Sequence, residues 1–389
     1  MALIVFQGAY FDSTLLAISR WPTATLSTLS IIQDPVVIDP RTGQRQSFAQ
    51  PLVFFRIDPC LSILIHSTAL FRSLTSLCIR LPARPVVRSL CTPAAYSSSG
   101  NLPISLMPPN LVSLDLSTSG VLENELDMLL VYFASLQHII LDGCGVLRGD
   151  LHNGECHALG KRCALVGVRR AKERGKALKT WLESRDIRDT SDDNYGSTVG
   201  ARPNGLPRKA KGGRKGLATS TISFRTPSTN SATSSPTLSL ARDTAAEPSK
   251  GIPKIRILAS PPCLLSLSVT VPPTIKKDKY PIIRAEFEAG WAEGIAQLAV
   301  TRARMRGSAG NGVRVMGLVS KDGNEDDSEL DEEEEFREGL KGLVDIEPDD
   351  DDAFGMCGEL QAPVLCFAGP YRDGHPSNCG HVVMGTITS

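Results

Sequence analysis

No uninterrupted apolar stretch in this 389-residue chain approaches the ~20 residues that a membrane-spanning helix requires; the nearest, residues 61–70, contains His66 and Ser67. The chain also lacks any Asn-x-Ser/Thr acceptor, and no basic residue precedes Arg20. Neither a glycosylated surface nor a secretory leader is therefore expected. Net charge is missing as well, because 42 Lys and Arg balance 42 Asp and Glu, so whole-chain charge selects no nucleic acid, membrane or acidic ligand. Ten cysteines are too sparse for a disulfide-stapled secreted domain, and no two form the C-x2-4-C knuckle with which structural zinc sites usually open. Neither a G-x-S-x-G elbow, an H-E-x-x-H pair nor the Gly-Lys-Ser/Thr end of a phosphate loop occurs. These absences predict a soluble cytoplasmic or nuclear protein that is not an enzyme, carries no cofactor and has no membrane partner.

What the chain does have is segregated charge. Residues 161–215 hold 16 Lys or Arg against 6 acids, whereas residues 322–352 hold 17 acids against 2 bases. Like-charged blocks repel themselves and stay solvated, so the acidic tract, residues 321–352, is expected to be disordered. Residues 189–251 are rich in Ser, Thr, Pro, Gly and Asn with few large apolar side chains. Such a segment cannot offset the entropy of ordering and reads as a disordered linker.

A short pattern recurs on either side of that linker. Leu-x-x-Leu-x-Leu, with Ile or Val allowed last, appears at Leu26/Leu29/Ile31, Leu74/Leu77/Ile79, Leu111/Leu114/Leu116 and Leu264/Leu267/Val269. Its alternating final pair points to one side of a short strand. Looser versions stand at Leu52/Phe55/Ile57 and Leu136/Ile139/Leu141, the latter followed by Cys144. The starts at 26, 52, 74, 111 and 136 are 26, 22, 37 and 25 residues apart, and three of these steps fall within the roughly 20 to 29 residues of a repeating strand-and-helix unit. Leu122, Leu126, Leu129, Leu130 and Phe133 follow helical spacing between two such strands, so residues 110–145 form one complete strand, turn, helix and strand.

Outside the repeats, residues 156–188 are helix-compatible on a basic background, with Gly160, Gly167 and Gly175 as weak points. Residues 255–258, 264–271 and 313–319 are expected as strands and residues 280–306 as a helix. The expected organisation is a repeat region at 1–150, a basic helical segment at 151–188, the linker at 189–251, an α/β segment at 252–320 that either continues the repeat sheet or packs apart from it, the acidic tract at 321–352 and a C-terminal segment at 353–389.

Three groups of residues are candidates for chemistry. Cys357, Cys366, His375, Cys379 and His381 are soft and borderline ligands of the kind zinc prefers, but without a tight knuckle they read as ordinary loop and core residues. His152, Cys156, His157 and Cys163 lack acidic partners and read the same way. Arg208, Lys209, Lys211, Arg214 and Lys215 form a basic cluster that suits a nuclear signal or a phosphate-binding patch as well as a solvated linker. Only Trp181 and Tyr195 interleave with the bases of 161–215, which makes nucleic acid the less favoured partner.

At Leu111-x-x-Leu114-x-Leu116 and Leu136-x-x-Ile139-x-Leu141-x-x-Cys144 the chain resembles leucine-rich-repeat proteins, and the position of Cys144 resembles the cysteine-containing subtype found in F-box proteins. The resemblance covers residues 26–150 and extends less regularly over 255–319. It implies an α/β solenoid, short and irregular here, whose partner is another protein docking on the concave face of the strands. Val112, Ser113, Asp115 and Ser117 of one strand, with Gln137, His138 and Ile140 of the next, are then the expected contact residues. The Leu-Pro opening of an F-box is absent, so recruitment to a ubiquitin ligase stays an analogy within that family.

Overall fold

The computed structural model describes residues 11–20, 26–33, 57–65, 67, 73–91, 110–147, 154–192, 254–309, 312–318, 343–346, 360–369 and 374–385. Two units are distinguished, Met1–Leu182 with Pro253–Ser389, and Glu183–Ile252. In the second, the described residues are the end of a helix.

The first unit is α/β. Its main sheet comprises β1 (Thr28–Ile32), β2 (Ser76–Arg80), β3 (Ser113–Asp115), β4 (His138–Leu141), β6 (Ser266–Val269) and β9 (Val364–Cys366), paired side by side in that order. Every pair is parallel. Parallel neighbours cannot be joined by a hairpin, so each step needs a crossover, and helices supply it. α1 (Phe11–Ser19) precedes β1, and the crossovers carry α2 (Ile57–Ile65) before β2, α3 (Val87–Cys91) before β3 and α4 (Glu123–Tyr132) before β4. Beyond β4 come α5 (Glu155–Ala164) and α6 (Val166–Asp192), and beyond β6 the long α7 (Tyr280–Gly307). A second, three-stranded sheet pairs β5 (Ile255–Ile257) with β7 (Arg314–Leu318) in parallel and β7 with β8 (Leu343–Asp345) antiparallel.

Strand register turns the leucine pattern into a core. Leu29, Leu77, Leu114, Ile139, Leu267 and Leu365 stand opposite one another across all six strands. All are buried, in one apolar cluster with Leu15 of α1, Leu61 and Leu64 of α2, Leu90 of α3, Leu126 and Leu129 of α4 and Phe287 and Trp291 of α7. The expected strand, turn, helix and strand over residues 110–145 is present as β3, α4 and β4. Its closing Cys144 is buried, and its thiol donates to the Leu116 carbonyl at 3.2 Å. The helix over 280–306 and the strand within 313–319 are also found, and β4 pairs directly with β6, so the segments flanking the linker share one sheet.

Two expectations need correction. The looser repeat at Leu52/Phe55/Ile57 does not end in a strand: Leu52 and Phe55 lie outside the described residues and Ile57 opens α2. The helix wins because Cys60, Leu61, Leu64 and Ile65 recur at helical spacing and are all buried, and Pro59 sits in the first turn, where its missing N–H costs nothing. The acidic tract is likewise not uniformly solvated. Its Leu343–Asp345 segment pairs with β7, burying Leu343 and Ile346 while Asp345 bonds Arg314.

The helical glycines have a positive use. A Cβ on Gly160 would lie 2.1 Å from the Phe287 carbonyl oxygen and one on Gly290 only 1.9 Å from that of His157, so α5 and α7 touch backbone to backbone. Gly294 against Ala164 and Gly167 against Ser260 repeat the device. Among the described residues no helix is long and apolar enough to cross a membrane.

Candidate functional site

The side of the sheet turned away from the leucine row is polar in sequence. One row runs Thr28, Ser76, Ser113, His138, Ser266 and Val364, and the next Ser30, Cys78, Asp115, Ile140, Ser268 and Cys366. Of the seven expected partner contacts, Ser113, Asp115, Ser117, His138 and Ile140 are buried, and only Val112 and Gln137 keep partial exposure. The expectation that these five face solvent therefore fails over β3 and β4. The reason is tertiary: over β4 and β6 the C-terminal segment folds back as α8 (Gly380–Met384), and on β3 Asp115 is engaged by Arg80 of β2 and by Ser117. Gly380 sits so close that a Cβ there would lie 3.1 Å from Ile140 Cγ1 and 3.4 Å from Ser266 Oγ.

The buried polar groups are used internally. His138 Nδ1 and Ser266 Oγ are 2.8 Å apart, and burial holds the His138 imidazole below its ordinary range. Asp115 accepts from Arg80 Nε and Nη2 at 3.0 and 2.6 Å, and from the Ser117 amide and hydroxyl at 2.9 and 2.6 Å. The adjacent Cys78 thiol is pushed up to about 12, by burial first and Asp115 second, which makes it inert at neutral pH. Replacing Asp115 by Ala strands a half-buried guanidinium. A loss of about 2 kcal/mol is expected in urea unfolding.

The C-terminal fold-back gathers four of the five cysteine and histidine candidates. The ligand atoms of Cys366, His375, Cys379 and His381 all lie within 4.8 Å of one another. Cys357 lies outside the described residues. Each ligand has its own source: Cys366 ends β9, His375 lies in the loop ahead of α8, Cys379 is the residue before α8 and His381 stands in its first turn. His375 Nδ1 is 3.6 Å from Cys366 Sγ and 3.3 Å from Cys379 Sγ, and the two imidazole rings have centroids 4.8 Å apart.

His381 is the most constrained of the four, with 1% of its surface exposed. Its Nε2 lies 2.6 Å from Oδ2 of Asp142, the residue that follows β4. A carboxylate only accepts, so Nε2 carries a proton, and in the neutral imidazole the lone pair is then on Nδ1. That Nδ1 is buried without a hydrogen-bond partner, as are Asp142 Oδ1 and, one register row away, Ser268 Oγ. Burial pushes the Cys366 thiol up to about 11, with Cys379 adding to the rise and the Ala368 backbone opposing it. Sequence reasoning missed Asp142; its only signal is a place at the carboxyl end of a parallel strand, where functional side chains of open α/β sheets collect.

The remaining candidates separate. Cys156 and Cys163 are buried in the main core, while His157 reaches Glu293 at 3.3 Å, so among the described residues that set does not assemble; His152 is outside them. Arg208, Lys209, Lys211, Arg214 and Lys215 also lie outside them. Four bases of the basic segment have partners within the chain: Lys161 bonds Glu293, Arg162 bonds Glu123, Arg169 bonds Asp127, and Arg170 bonds the Leu130 and Val131 carbonyls. Compared with family models, with curated proteins and with solved structures, the chain has no match.

Proposed function

We propose that the protein is a non-enzymatic scaffold of the leucine-rich-repeat type that binds another protein. The observation that carries this reading is the main sheet, in which parallel strands follow one another in chain order with the motif leucines in a single buried row. Such an arrangement provides a broad rigid surface rather than a cleft, which suits recognition more than catalysis. The open part of the polar side lies over β1, where Thr28, Ser30 and Ile32 are exposed beside the partly exposed Ser76 and Arg80 of β2. With 48% of its surface in solvent, Ile32 is a large aliphatic side chain in that polar setting, the composition of an interface centre with a polar rim. Nucleic-acid binding by residues 161–215 draws no comparable support, because Lys161, Arg162 and Arg169 are already paired with Glu293, Glu123 and Asp127 within the fold.

A photo-crosslinking residue placed at Ser30, with another at exposed Val300 of α7 as control, tests this in cell extract. The expected result is a discrete protein adduct at position 30 that is missing at 300 and lost with Ile32→Asp. Equal labelling at both positions, or nucleic acid in place of protein at position 30, counts against the scaffold.

A further inference from the structure

We propose that Cys366, His375, Cys379 and His381 bind one Zn2+ ion in a closed tetrahedral site that staples the C-terminal segment to the main sheet, with Asp142 orienting His381 from behind. This goes beyond the scaffold reading and stands or falls independently of it.

The donor set fits the ion. Two thiolates and two imidazoles are the Cys2His2 complement of structural zinc, and they satisfy a borderline-soft cation better than the oxygen-seeking Mg2+ or Ca2+. Zn–S of ~2.3 Å and Zn–N of ~2.0 Å imply tetrahedral edges between sulfur and nitrogen of about 3.5 Å. His375 Nδ1 already stands 3.6 and 3.3 Å from the two sulfurs. No hydrogen-bonding account covers His381, whose Nδ1 is buried without a partner while Nε2 is held by Asp142. An imidazole fixed at its far nitrogen by a carboxylate, with the near lone pair unengaged, is the arrangement by which a metal-ligating histidine is oriented and its basicity raised. With four protein donors there is no open position for water or substrate, so the site is structural and not hydrolytic.

The surrounding fold needs such a staple. The edge strand β9 has three residues and α8 five, and helices far shorter than about 12 residues do not persist on their own. The exposed Val382 and Val383 show that α8 gains little from burial on its outer side. A zinc ion ties the end of β9 to the start of α8. Through His381 and Asp142 it also ties both to the end of β4, 239 residues earlier in the chain.

The test uses the full-length protein, stripped with chelator under reducing conditions and titrated with Zn2+ against a chromophoric competitor, and with Co2+ as a spectroscopic substitute. One equivalent of Zn2+ is expected. Co2+ should give intense visible d–d bands of a tetrahedral centre with thiolate-to-cobalt charge transfer in the near ultraviolet. Cys379→Ser should abolish stoichiometric binding, Cys263→Ser at the exposed cysteine should leave it intact, and Asp142→Asn should weaken it about 10- to 100-fold while keeping the tetrahedral spectrum. Should Cys379→Ser misfold, the cobalt spectrum of the unsubstituted protein decides alone. A weak octahedral spectrum, less than one equivalent of zinc, or a native mass two hydrogens lower from a Cys366–Cys379 disulfide would overturn the site.

Discussion

Gly290→Ala is expected to destabilise the protein by on the order of 4 kcal/mol, beyond the usual 1–3 kcal/mol of an overpacked core. The added methyl would lie 1.9 Å from the His157 carbonyl oxygen, where ordinary contact begins at 3.4 Å. The obstacle is backbone, so no rotamer change relieves it, and α5 must move away from α7. That movement also opens the contacts at Gly160 and Gly294 and loosens Phe287 and Trp291 from the core. Gly175→Ala in α6 is the control. A Cβ there meets nothing within 4 Å, and replacing a helical glycine by alanine is worth about 0.5–1 kcal/mol of added stability. Urea unfolding followed by circular dichroism should thus move in opposite directions for two substitutions that are identical on paper. Equal midpoints would show that α5 and α7 do not touch as described.

Leu267→Ala is expected to cost about 3–5 kcal/mol. Leu267 lies in the buried row with Ile139 on one side and Leu365 on the other. Strands hydrogen-bonded on both flanks cannot close around the lost side chain, so the cavity persists and adds to the transfer term. Leu265→Ala, two residues earlier and 52% exposed, should change stability by less than about 0.5 kcal/mol. A comparable loss from both would mean that Leu265 is buried as Leu267 is, against its exposed place just ahead of β6.

The contrast between these two leucines was legible beforehand. In Leu264-x-x-Leu267-x-Val269 the motif names residues 264, 267 and 269 and passes over 265, and the fold buries the first three. The same holds for Leu111/Leu114/Leu116 and Leu136/Ile139/Leu141. At Ile57 the motif misled, because Leu-x-x-Phe-x-Ile runs into a helical spacing that extends to Ile65, and the longer period prevailed. The acidic tract misled in another way: its charge outweighs Leu343 and Ile346 in any composition average, yet two apolar residues suffice to add an edge strand to β7.

The candidate site was named in the sequence but not recognised there. Cys366, His375, Cys379 and His381 were visible as ligand types, and their spacing lacked the local knuckle that identifies a zinc site without a structure. Convergence comes instead from β9 joining the sheet edge and α8 turning back over β4, both of which depend on partners far away in the chain. Asp142 was invisible for the same reason.

The sequence by itself determined five of the six residues of the leucine row, all but Leu365, together with where α4 and α7 run and which tracts are charged, because helix and strand periods are local properties of consecutive side chains. Only the tertiary structure decided that Ser113, Asp115, Ser117, His138 and Ile140 are covered, that Gly160 and Gly290 are contact points, and that four ligands share one small volume with Asp142 behind them. Those outcomes depend on which surfaces meet, and burial against a distant segment overrides the local preference of a polar residue for water once its hydrogen bonds are met within the fold.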